Sequence, residues 1–430
     1  MTSAHDRPSD PIAGLGQEPR GIRVRQVVPM RGWVDLGELL GRLGETPVVP
    51  PFDRSRVDFV ADVSRRLGRK GRERPEIQAL AFWMRKSELH RLAQSMLALE
   101  DERSVLMPRG TVFHLPPANV DTLFVYSWAL STLVGNRNIV RLSSRATDRS
   151  GLVLDTLCEA MVDHPDVAGS SVIVTYGHDD VVTSTISGSC DVRVIWGGDV
   201  TVKRIRSVAI PAHATELVFA DRFSMAAIGT EAYRGLSVQG RDRLAELFFT
   251  DAYWFDQLAC SSARLLLWVG AADPRPFSVD FYDRVRAVTH EKGYTVDSSA
   301  AVAKLGQAFG TMVDAEVTGY SAEDNTLTVL EMASFSDVRG EFCGAGLFYH
   351  LHVRDLGEIV SDIRRPDQTL ASYGIAEADL RRFILSLCGR GIDRIVPFGQ
   401  ALHFDRYWDG YDLLAELTRR VTISVGETMS

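Results

Sequence analysis

The chain has 430 residues, of which 45% are hydrophobic and 24% are charged, and its formal net charge is -8. This composition is that of a globular protein whose length suits two or three domains with sizeable cores. An acidic balance argues against a nucleic-acid partner, and the five cysteines lack the paired spacing of a disulfide framework or a zinc site.

The sequence shows no segment that would carry the chain to or through a membrane. Charged residues interrupt the first twenty positions, so no apolar signal-peptide core forms there. The longest apolar run, 122–135, contains hydroxyl side chains and is short for a bilayer span. Together with the unpaired cysteines, this predicts a cytoplasmic protein.

The N-terminal quarter predicts a loose tail followed by a layer of helices. Residues 1–25 are rich in Pro, Gly, Ser and Asp, a composition typical of disorder. From 26 to 106, apolar residues recur mostly at helical spacing, and Pro75 is a good first-turn residue. The basic run 65–74 could attract a phosphate-bearing carrier, or it could be a solvated charged face.

From Thr111 onward, short apolar runs alternate with helical patterns. The predicted strands are 111–115, 138–142, 171–174 and 192–196, and the predicted helices are 122–134, 150–162, 179–186 and 199–207. This alternation is typical of a parallel sheet covered by helices, which binds ligands beyond the carboxyl ends of its strands. Residues 107–238 therefore predict a nucleotide-binding domain, although no G-x-G-x-x-G pattern occurs in them.

A second α/β region is predicted over 239–392, with a boundary between the domains near 235–241. Its strands are expected at 264–269, 326–332 and 347–353, and its helices at 237–253, 278–291 and 299–309. The last segment, 393–430, is predicted to return to the interface between the domains. It begins with a strand that ends in a Pro/Gly loop and then carries the aromatic residues Phe404, Tyr407, Trp408 and Tyr411.

The main candidate for chemistry is Cys260, which stands alone in the stretch 255–262 between a polar turn and an apolar strand. A thiol at the rim of a buried strand can attack a carbonyl and carry the acyl group as a thioester. The alternative is that Cys260 only fills a gap in the core, as most unpaired cysteines do.

Two turns also present groups suited to a site. Asn119 follows a strand that breaks at two prolines, where its amide could stabilise an oxyanion or could simply cap a helix. Gly197 and Gly198 form a strand-to-helix turn, where backbone N–H groups could approach a phosphate. A plain tight turn is an adequate alternative for the two glycines.

These segments resemble the aldehyde dehydrogenase superfamily, and more closely its acyl-CoA reductase branch of the LuxC type. The resemblance runs from about Met107 to Thr422, and its most specific stretches are HLPPANVDTLFVYSWALSTLVGNRNIVRLSSR (114–145), FFTDAYWFDQLACSSAR (248–264) and DRIVPFGQALHFDRYWDGYDLL (393–414). It implies an aldehyde-dehydrogenase-like α/β fold with a Rossmann-type cofactor domain, an α/β catalytic domain and a helical N-terminal layer.

The resemblance implies an activity and partners. Members of this branch reduce a long-chain fatty acyl-CoA, or another acyl thioester, to the aldehyde, and they receive acyl groups from an acyl-protein synthetase. Such a partner and a homo-oligomer are therefore implied for this chain. Two alternatives stay open, namely oxidation of an aldehyde to the acid on the same fold and a non-catalytic acyl-binding scaffold subunit. No metal site is predicted.

The resemblance also implies catalytic roles. Cys260 matches the acyl-accepting thiol, and Asn119 matches the amide that holds the oxyanion together with the Cys260 backbone N–H. Only a thiolate is a good nucleophile, so we expect a lowered pKa for the Cys260 thiol, with a nearby helix N-terminus as its cause. Glu216 falls near the place of the superfamily's general base. It would relay protons, or it is a surface carboxylate, and His213 is a further candidate for proton relay.

Cofactor binding is predicted for residues in three segments. The Gly197-Gly198 turn resembles the pyrophosphate-binding turn of the superfamily, and Glu341 and Phe342 resemble the pair that holds the nicotinamide ribose. The third segment carries no carboxylate where NAD-preferring relatives accept the ribose hydroxyls, and its polar residues are Arg141, Ser143, Ser144 and Arg145. Because a 2′-phosphate would meet guanidinium groups there, we predict NADPH as the cofactor.

Overall fold

The N-terminal part of the structure is a strand hairpin followed by helices. The computed structural model describes residues 21–30, 32–101, 103–117, 123–143, 150–335, 338–340 and 342–425. Its first elements are strands β1 (Arg23–Val28) and β2 (Gly32–Asp35), then helices α1 (Leu36–Glu45), α2 (Arg54–Lys70), α3 (Pro75–Trp83) and α4 (Lys86–Leu97).

The next elements complete a first sheet. In chain order they are β3 (Ser104–Pro108), β4 (Thr111–Leu115), α5 (Leu123–Leu133), β5 (Arg137–Leu142), α6 (Gly151–Asp163), α7 (Pro165–Ala168), β6 (Ser171–Thr175), α8 (Asp180–Ser187), β7 (Val192–Trp196), α9 (Asp199–Arg206) and β8 (Thr215–Phe219). Strand order in the sheet is β2-β1-β6-β5-β4-β7-β8, and β4 to β8 run parallel. Helices therefore cross over between the parallel strands, as the alternating pattern predicts.

A second sheet is built from the rest of the chain. Its elements are β9 (Phe223–Gly229), α10 (Thr230–Arg234), α11 (Val238–Tyr253), β10 (Ala263–Val269), α12 (Arg275–Glu291), α13 (Ser298–Asp314), β11 (Val317–Asp324), β12 (Leu327–Met332), β13 (Leu347–Val353), a 3₁₀ turn (Leu356–Ile359), β14 (Asp367–Tyr373), α14 (Glu377–Leu387) and β15 (Arg394–Pro397). Strand order is β11-β12-β13-β10-β9-β14-β15, and every pair except β11 with β12 is parallel.

The C-terminal segment returns to the first half of the chain. It consists of the short hairpin β16 (Tyr407–Trp408) and β17 (Tyr411–Asp412), helix α15 (Leu413–Glu416) and strand β18 (Thr418–Thr422). Strand β18 pairs antiparallel with β3, which precedes the first parallel strand by only two residues. This pairing brings the segment with the predicted aromatic cluster back towards the first sheet.

The apolar pattern of the sequence explains the core. All five residues of β6 and all five of β7 are buried, as expected for parallel strands covered on both faces. Helix α5 is apolar on every side and its described side chains are buried, so the longest apolar run of the sequence is a core helix. Of the helices in the described ranges, none is both long and apolar enough to cross a membrane.

The prediction of an α/β fold is confirmed, but three boundaries differ. Strand β1 begins inside the predicted tail and buries Val24 in a period-two pattern. The helix predicted from Pro75 is two helices, because Arg85 has an extended backbone between them. The chain passes from the first sheet to the second at 220–222, earlier than the predicted boundary.

Three of the six cations in the basic run 65–74 form ion pairs with described residues, namely Arg65, Arg66 and Lys70. Arg66 pairs with Asp163, and Lys70 Nζ lies 2.7 Å from Glu159 Oε1. The geometry therefore favours a solvated, ion-paired face over a docking point for a phosphate-bearing carrier.

A buried carboxylate fixes the loop that follows β15. Asp251, on α11 and 1% exposed, accepts N–H bonds from Gly399 (2.7 Å) and Ala401 (2.9 Å). Arg394 donates to the carbonyl groups of Ala401 and His403, so the same loop is held from its other side. Burial raises the pKa of Asp251 to about 7, because desolvation outweighs the two N–H donors.

We predict that Asp251→Asn removes a pH dependence of stability. Since the folded pKa of Asp251 lies above the unfolded value, its contribution is present below pH ~4 and is lost as the pH rises to about 7. The free energy of unfolding of the natural protein should fall relative to the Asn variant by up to about 4 kcal/mol over that range. Melting temperatures of both proteins at pH 5 and pH 8 measure this, and parallel pH profiles would contradict it.

Candidate active site

Cys260 lies in the turn between α11 and β10, and several side chains fix the path of this turn. Ser224 Oγ donates to the Cys260 carbonyl over 2.7 Å. The Gln257 amide donates to the carbonyl groups of Ala263 (3.0 Å) and Leu347 (2.8 Å). Gln257 adopts a left-handed backbone with φ of 62°, which this network of bonds holds in place. The sulfur is therefore carried on a rigid turn.

The half-buried Cys260 lines a cleft of about 620 Å³ between the two sheets. On one side are residues at the carboxyl ends of strands of the first sheet, including Arg141, Tyr176 and Trp196. On the other side, Cys260 and Arg264 lie at the amino end of β10. The cleft thus brings the predicted thiol and the predicted cofactor edge together.

Aromatic side chains form a wall of this cleft. Trp196 stacks on Phe219 with ring centroids 3.7 Å apart, and Trp408 and Phe404 of the C-terminal segment also line the cleft. Of the predicted aromatic cluster, Phe404 and Trp408 reach the site, while Tyr411 packs edge-on against Phe219 and Tyr407 is exposed. These rings make that side of the cleft apolar.

A polar chain approaches the sulfur from the second sheet. Gln368 Nε2, on β14, lies 3.8 Å from Cys260 Sγ and donates to it. The same amide donates to Asp409 Oδ1, and Asp409 Oδ2 accepts from Arg222 Nε at 2.9 Å. Gln368 is 2% exposed and Asp409 is 5% exposed, so this chain is buried.

The predicted lowering of the Cys260 pKa is wrong for the site as it stands. Burial, helped by the nearby Asp409 carboxylate, raises the pKa of the Cys260 thiol to about 11, against smaller opposing effects of Gln368, Arg394 and Arg222. In sequence the cysteine stands between the C-terminal end of α11 and a strand, so neither flanking element offers a helix N-terminus. At neutral pH the group is held as the thiol.

Four of the five predicted cofactor residues that the structure describes lie on the cleft. Arg141, Ser143, Gly197 and Gly198 all line it, whereas 144 and 145 lie outside the described residues. The Arg141 guanidinium donates to the Tyr176 carbonyl at 3.3 Å and lies over its ring. Arg141 Nε is buried and, among the described residues, has no hydrogen-bond partner.

The Gly197-Gly198 turn already has an acidic neighbour. The N–H of Asp199, at the start of α9, donates to Asp221 Oδ2 over 3.1 Å. A Cβ at Gly198 would lie 3.1 Å from the same oxygen, so the turn and this carboxylate are closely packed. A phosphate bound at this turn would compete with Asp221 for the N–H group.

Of three further predicted residues, one bears on the site indirectly and two lie outside the described residues. Phe342 does not line the cleft, but the Arg264 guanidinium lies over its ring at 4.6 Å and does line it. Positions 341 and 119, predicted for ribose binding and for the oxyanion, lie outside the described residues.

Glu216 is not brought to the thiol. It pairs across the sheet with Arg193, whose Nε donates to its carboxylate over 2.8 Å, and Arg206 Nε lies 2.9 Å from its other oxygen. It precedes Phe219 by three residues, which places it about 10 Å back along the strand from the cleft edge. His213 is exposed and contacts Asp191, also away from the cleft. The predicted proton-relay role therefore gains no support, and Glu216 serves as the partner of a buried arginine.

Sequence reasoning missed Gln368, Asp409, Arg222 and Arg264. Gln368 and Asp409 lie far from Cys260 along the chain, so no spacing motif could connect them. The one available signal for Asp409 was the Asp-Gly pair beside Trp408, which is typical of a tight turn. Arg264 is four residues after Cys260 and could have been noted as a cation at the start of a strand.

Comparison with known sequences identifies one family. The sequence profile described as acyl-CoA reductase (LuxC) matches residues 58–420. A search among curated proteins found no matching sequence.

Comparison with solved structures identifies the fold. Aldehyde dehydrogenase 21 from Physcomitrella patens, in complex with the reaction product succinate, superposes with a TM-score of 0.68, 10% identity and 90% coverage of both chains. An oxidoreductase from Marinobacter aquaeolei gives 0.65, 10% identity and 94% coverage of both chains. A glyceraldehyde-3-phosphate dehydrogenase from Methanocaldococcus jannaschii, complexed with NADP, gives 0.61, 12% identity, and 90% and 93% coverage. At these identities the likeness shows the fold alone.

We predict that Glu216→Gln destabilises the protein but leaves its chemistry intact. The change removes the charge that neutralises Arg193, which is 1% exposed, at a cost of about 1–3 kcal/mol. The melting temperature should fall by a few degrees, while turnover by the folded protein stays within about threefold. Arg206→Gln, which removes only the exposed partner, is the matched control and should cost below about 1 kcal/mol. Loss of more than about 10²-fold in turnover would restore Glu216 as a proton carrier.

Proposed function

This chain belongs to the acyl-CoA reductase (LuxC) family, and on that premise we propose that it reduces an acyl-CoA or another acyl thioester to the aldehyde with NADPH. The acyl group is carried on Cys260, and a long-chain fatty acyl group is the expected substrate. The single observation that supports this most is a half-buried thiol that lines the same cleft as the carboxyl edge of the first sheet.

The first step is transfer of the acyl group to the cysteine. The Cys260 sulfur forms a bond with the acyl carbon, the bond from that carbon to the carrier sulfur breaks, and the carrier leaves as a thiol with the proton that Cys260 gives up. Asn119 and the Cys260 backbone N–H are the proposed donors to the oxyanion. Loss of one such donor typically costs on the order of 10²–10³ in rate.

The cofactor would be held at the edge of the first sheet. Arg141 offers a buried Nε with no partner among the described residues, and its guanidinium and the Tyr176 ring lie together on the cleft, which fits an anionic nucleotide. Gly197 and Gly198 would bring the backbone close to the pyrophosphate once Asp221 gives way. When bound, NADPH supplies the hydride that reduces the acyl group.

The chain's own groups complete the reaction. Asn119 and the backbone N–H would hold the oxyanion of the sulfur-bound adduct, whose collapse breaks the carbon–sulfur bond and releases the aldehyde. The Cys260 sulfur then recovers its proton from water. The same residues thus serve both the formation and the breakdown of the acyl-enzyme.

The position of the carboxylates favours reduction over oxidation of an aldehyde to the acid. Oxidation needs a base that activates water against the acyl-enzyme. Among the described residues that line the cleft, the carboxylates are Asp221 and Asp409, and both already accept hydrogen bonds from the protein. A partner acyl-protein synthetase and a homo-oligomer remain predictions from the family resemblance.

The proposal is tested by the fate of a labelled acyl-CoA. The natural protein and Cys343→Ser, a matched control whose thiol is also half-buried, should retain covalent label that NADPH discharges as aldehyde. Cys260→Ser should retain none and lose on the order of 10³-fold or more in turnover. Discharge of the label by water alone would indicate oxidation to the acid, and no label on the natural protein would indicate a scaffold subunit.

We predict that Arg141→Gln weakens NADPH selectively. A guanidinium contact to a 2′-phosphate is worth about 1.5–3 kcal/mol, so KM for NADPH should rise about 10- to 100-fold while KM for NADH stays within a few-fold. Arg204→Gln is the control, because Arg204 is paired with Asp180 and does not line the cleft. Equal use of NADH and NADPH by the natural protein would contradict the predicted cofactor preference.

A further inference from the structure

Three distant segments converge behind the Cys260 sulfur. Gln368 is the second residue of β14, Asp409 lies in the tight turn between β16 and β17, and Arg222 precedes β9. Asp409 has a left-handed backbone with φ of 50°, which the two-residue turn between β16 and β17 requires and which an Asp-Gly pair readily adopts. A buried chain built in this way is more than a surface contact.

The hydrogen-bond donors settle which end of the Gln368 amide faces the sulfur. An ionised carboxylate only accepts hydrogen bonds, so the Gln368 group that touches Asp409 must be the NH₂ group. That nitrogen lies 3.8 Å from Cys260 Sγ, and its second N–H is free to point there. Arg222 Nε, 2.9 Å from the other Asp409 oxygen, holds the carboxylate in place and opposes the rise in its pKa that burial causes.

We infer that Gln368 donates a hydrogen bond to the Cys260 sulfur in its nucleophilic form, and that Asp409 and Arg222 are positioning residues that lock the amide in the donating orientation. This inference deepens the proposed function, because it gives a role to the chain behind the same thiol. A donor aimed at sulfur favours the thiolate over the thiol. It also fixes the direction from which the sulfur can attack.

The charged groups around the sulfur act in opposite directions. Arg222, Arg394 and Arg264 favour the thiolate through their positive charges. Asp409 has two opposite effects: its negative charge disfavours the thiolate, but its hydrogen bond to Gln368 orients the amide that favours it. The role of Gln368 can therefore be separated from plain electrostatics only if its effect is measured with and without the Asp409 charge.

The test is the rate of iodoacetamide alkylation at Cys260, followed peptide by peptide in the folded protein at pH 7 to 9. The exposed Cys388 is an internal control in every sample. Gln368→Met keeps the side-chain length but removes both N–H donors. This substitution should slow alkylation of Cys260 at pH 8 roughly tenfold, which corresponds to a displacement of its rate–pH profile by one pH unit. The rate at Cys388 should not change.

The second arm repeats the substitution in an Asp409→Asn background. Should Gln368→Met alone fail to fold, this background removes the carboxylate that would have lost its amide donor, and Arg222 keeps its bond to the Arg365 carbonyl. Without the carboxylate the Gln368 amide is free to rotate out of the donating orientation. The effect of Gln368→Met on the rate of Cys260 alkylation should therefore shrink to below about threefold. An unchanged Cys260 profile in Gln368→Met, or an equal effect in both backgrounds, would overturn the inference. Because alkylation requires neither acyl-CoA nor NADPH, this result is independent of whether the proposed reductase activity is found.

Discussion

The link from β8 to β9 is the constraint from which the site follows. Only residues 220–222 lie between these strands. The four peptide units that connect Phe219 to Phe223 can therefore span at most about 14 Å. The carboxyl edge of the first sheet must therefore face the amino edge of the second. Cys260 and Gln368 lie along that amino edge because β9, β10 and β14 are parallel neighbours. A ligand bound beyond the first sheet consequently meets the thiol.

The fold could be predicted from the sequence where a strand is buried along its whole length. It could not be predicted where the position of a residue depends on contacts with residues distant in the sequence. Strands such as β6 and β7 are short and mostly apolar runs, so their place in a parallel sheet could be predicted. Glu216 could not be placed from its neighbours, because the register of β7 and β8, which sets Arg193 opposite it, is a property of the assembled sheet. Likewise, the contact between Gln368 and Cys260 joins residues 108 positions apart, and no local pattern encodes it.

Control of water connects several features of the site. An acyl group held on sulfur survives only if hydrolysis is slower than reduction. The stacked Trp196 and Phe219 give one side of the cleft an apolar surface, and the Asp409 carboxylate is hydrogen-bonded to Arg222 and Gln368, so it is not free to activate water. The raised pKa of the Cys260 thiol fits the same arrangement, since it reflects a poorly hydrated pocket.

The pairing of β18 with β3 can form only after nearly all of the residues between them have been synthesised. Strand β3 leaves the ribosome some three hundred residues before its partner, and Trp408 and Asp409 emerge only shortly before that partner. A nascent chain that already displays the Cys260 thiol therefore still lacks Phe404 and Trp408 of the aromatic wall and the Asp409 carboxylate behind the sulfur.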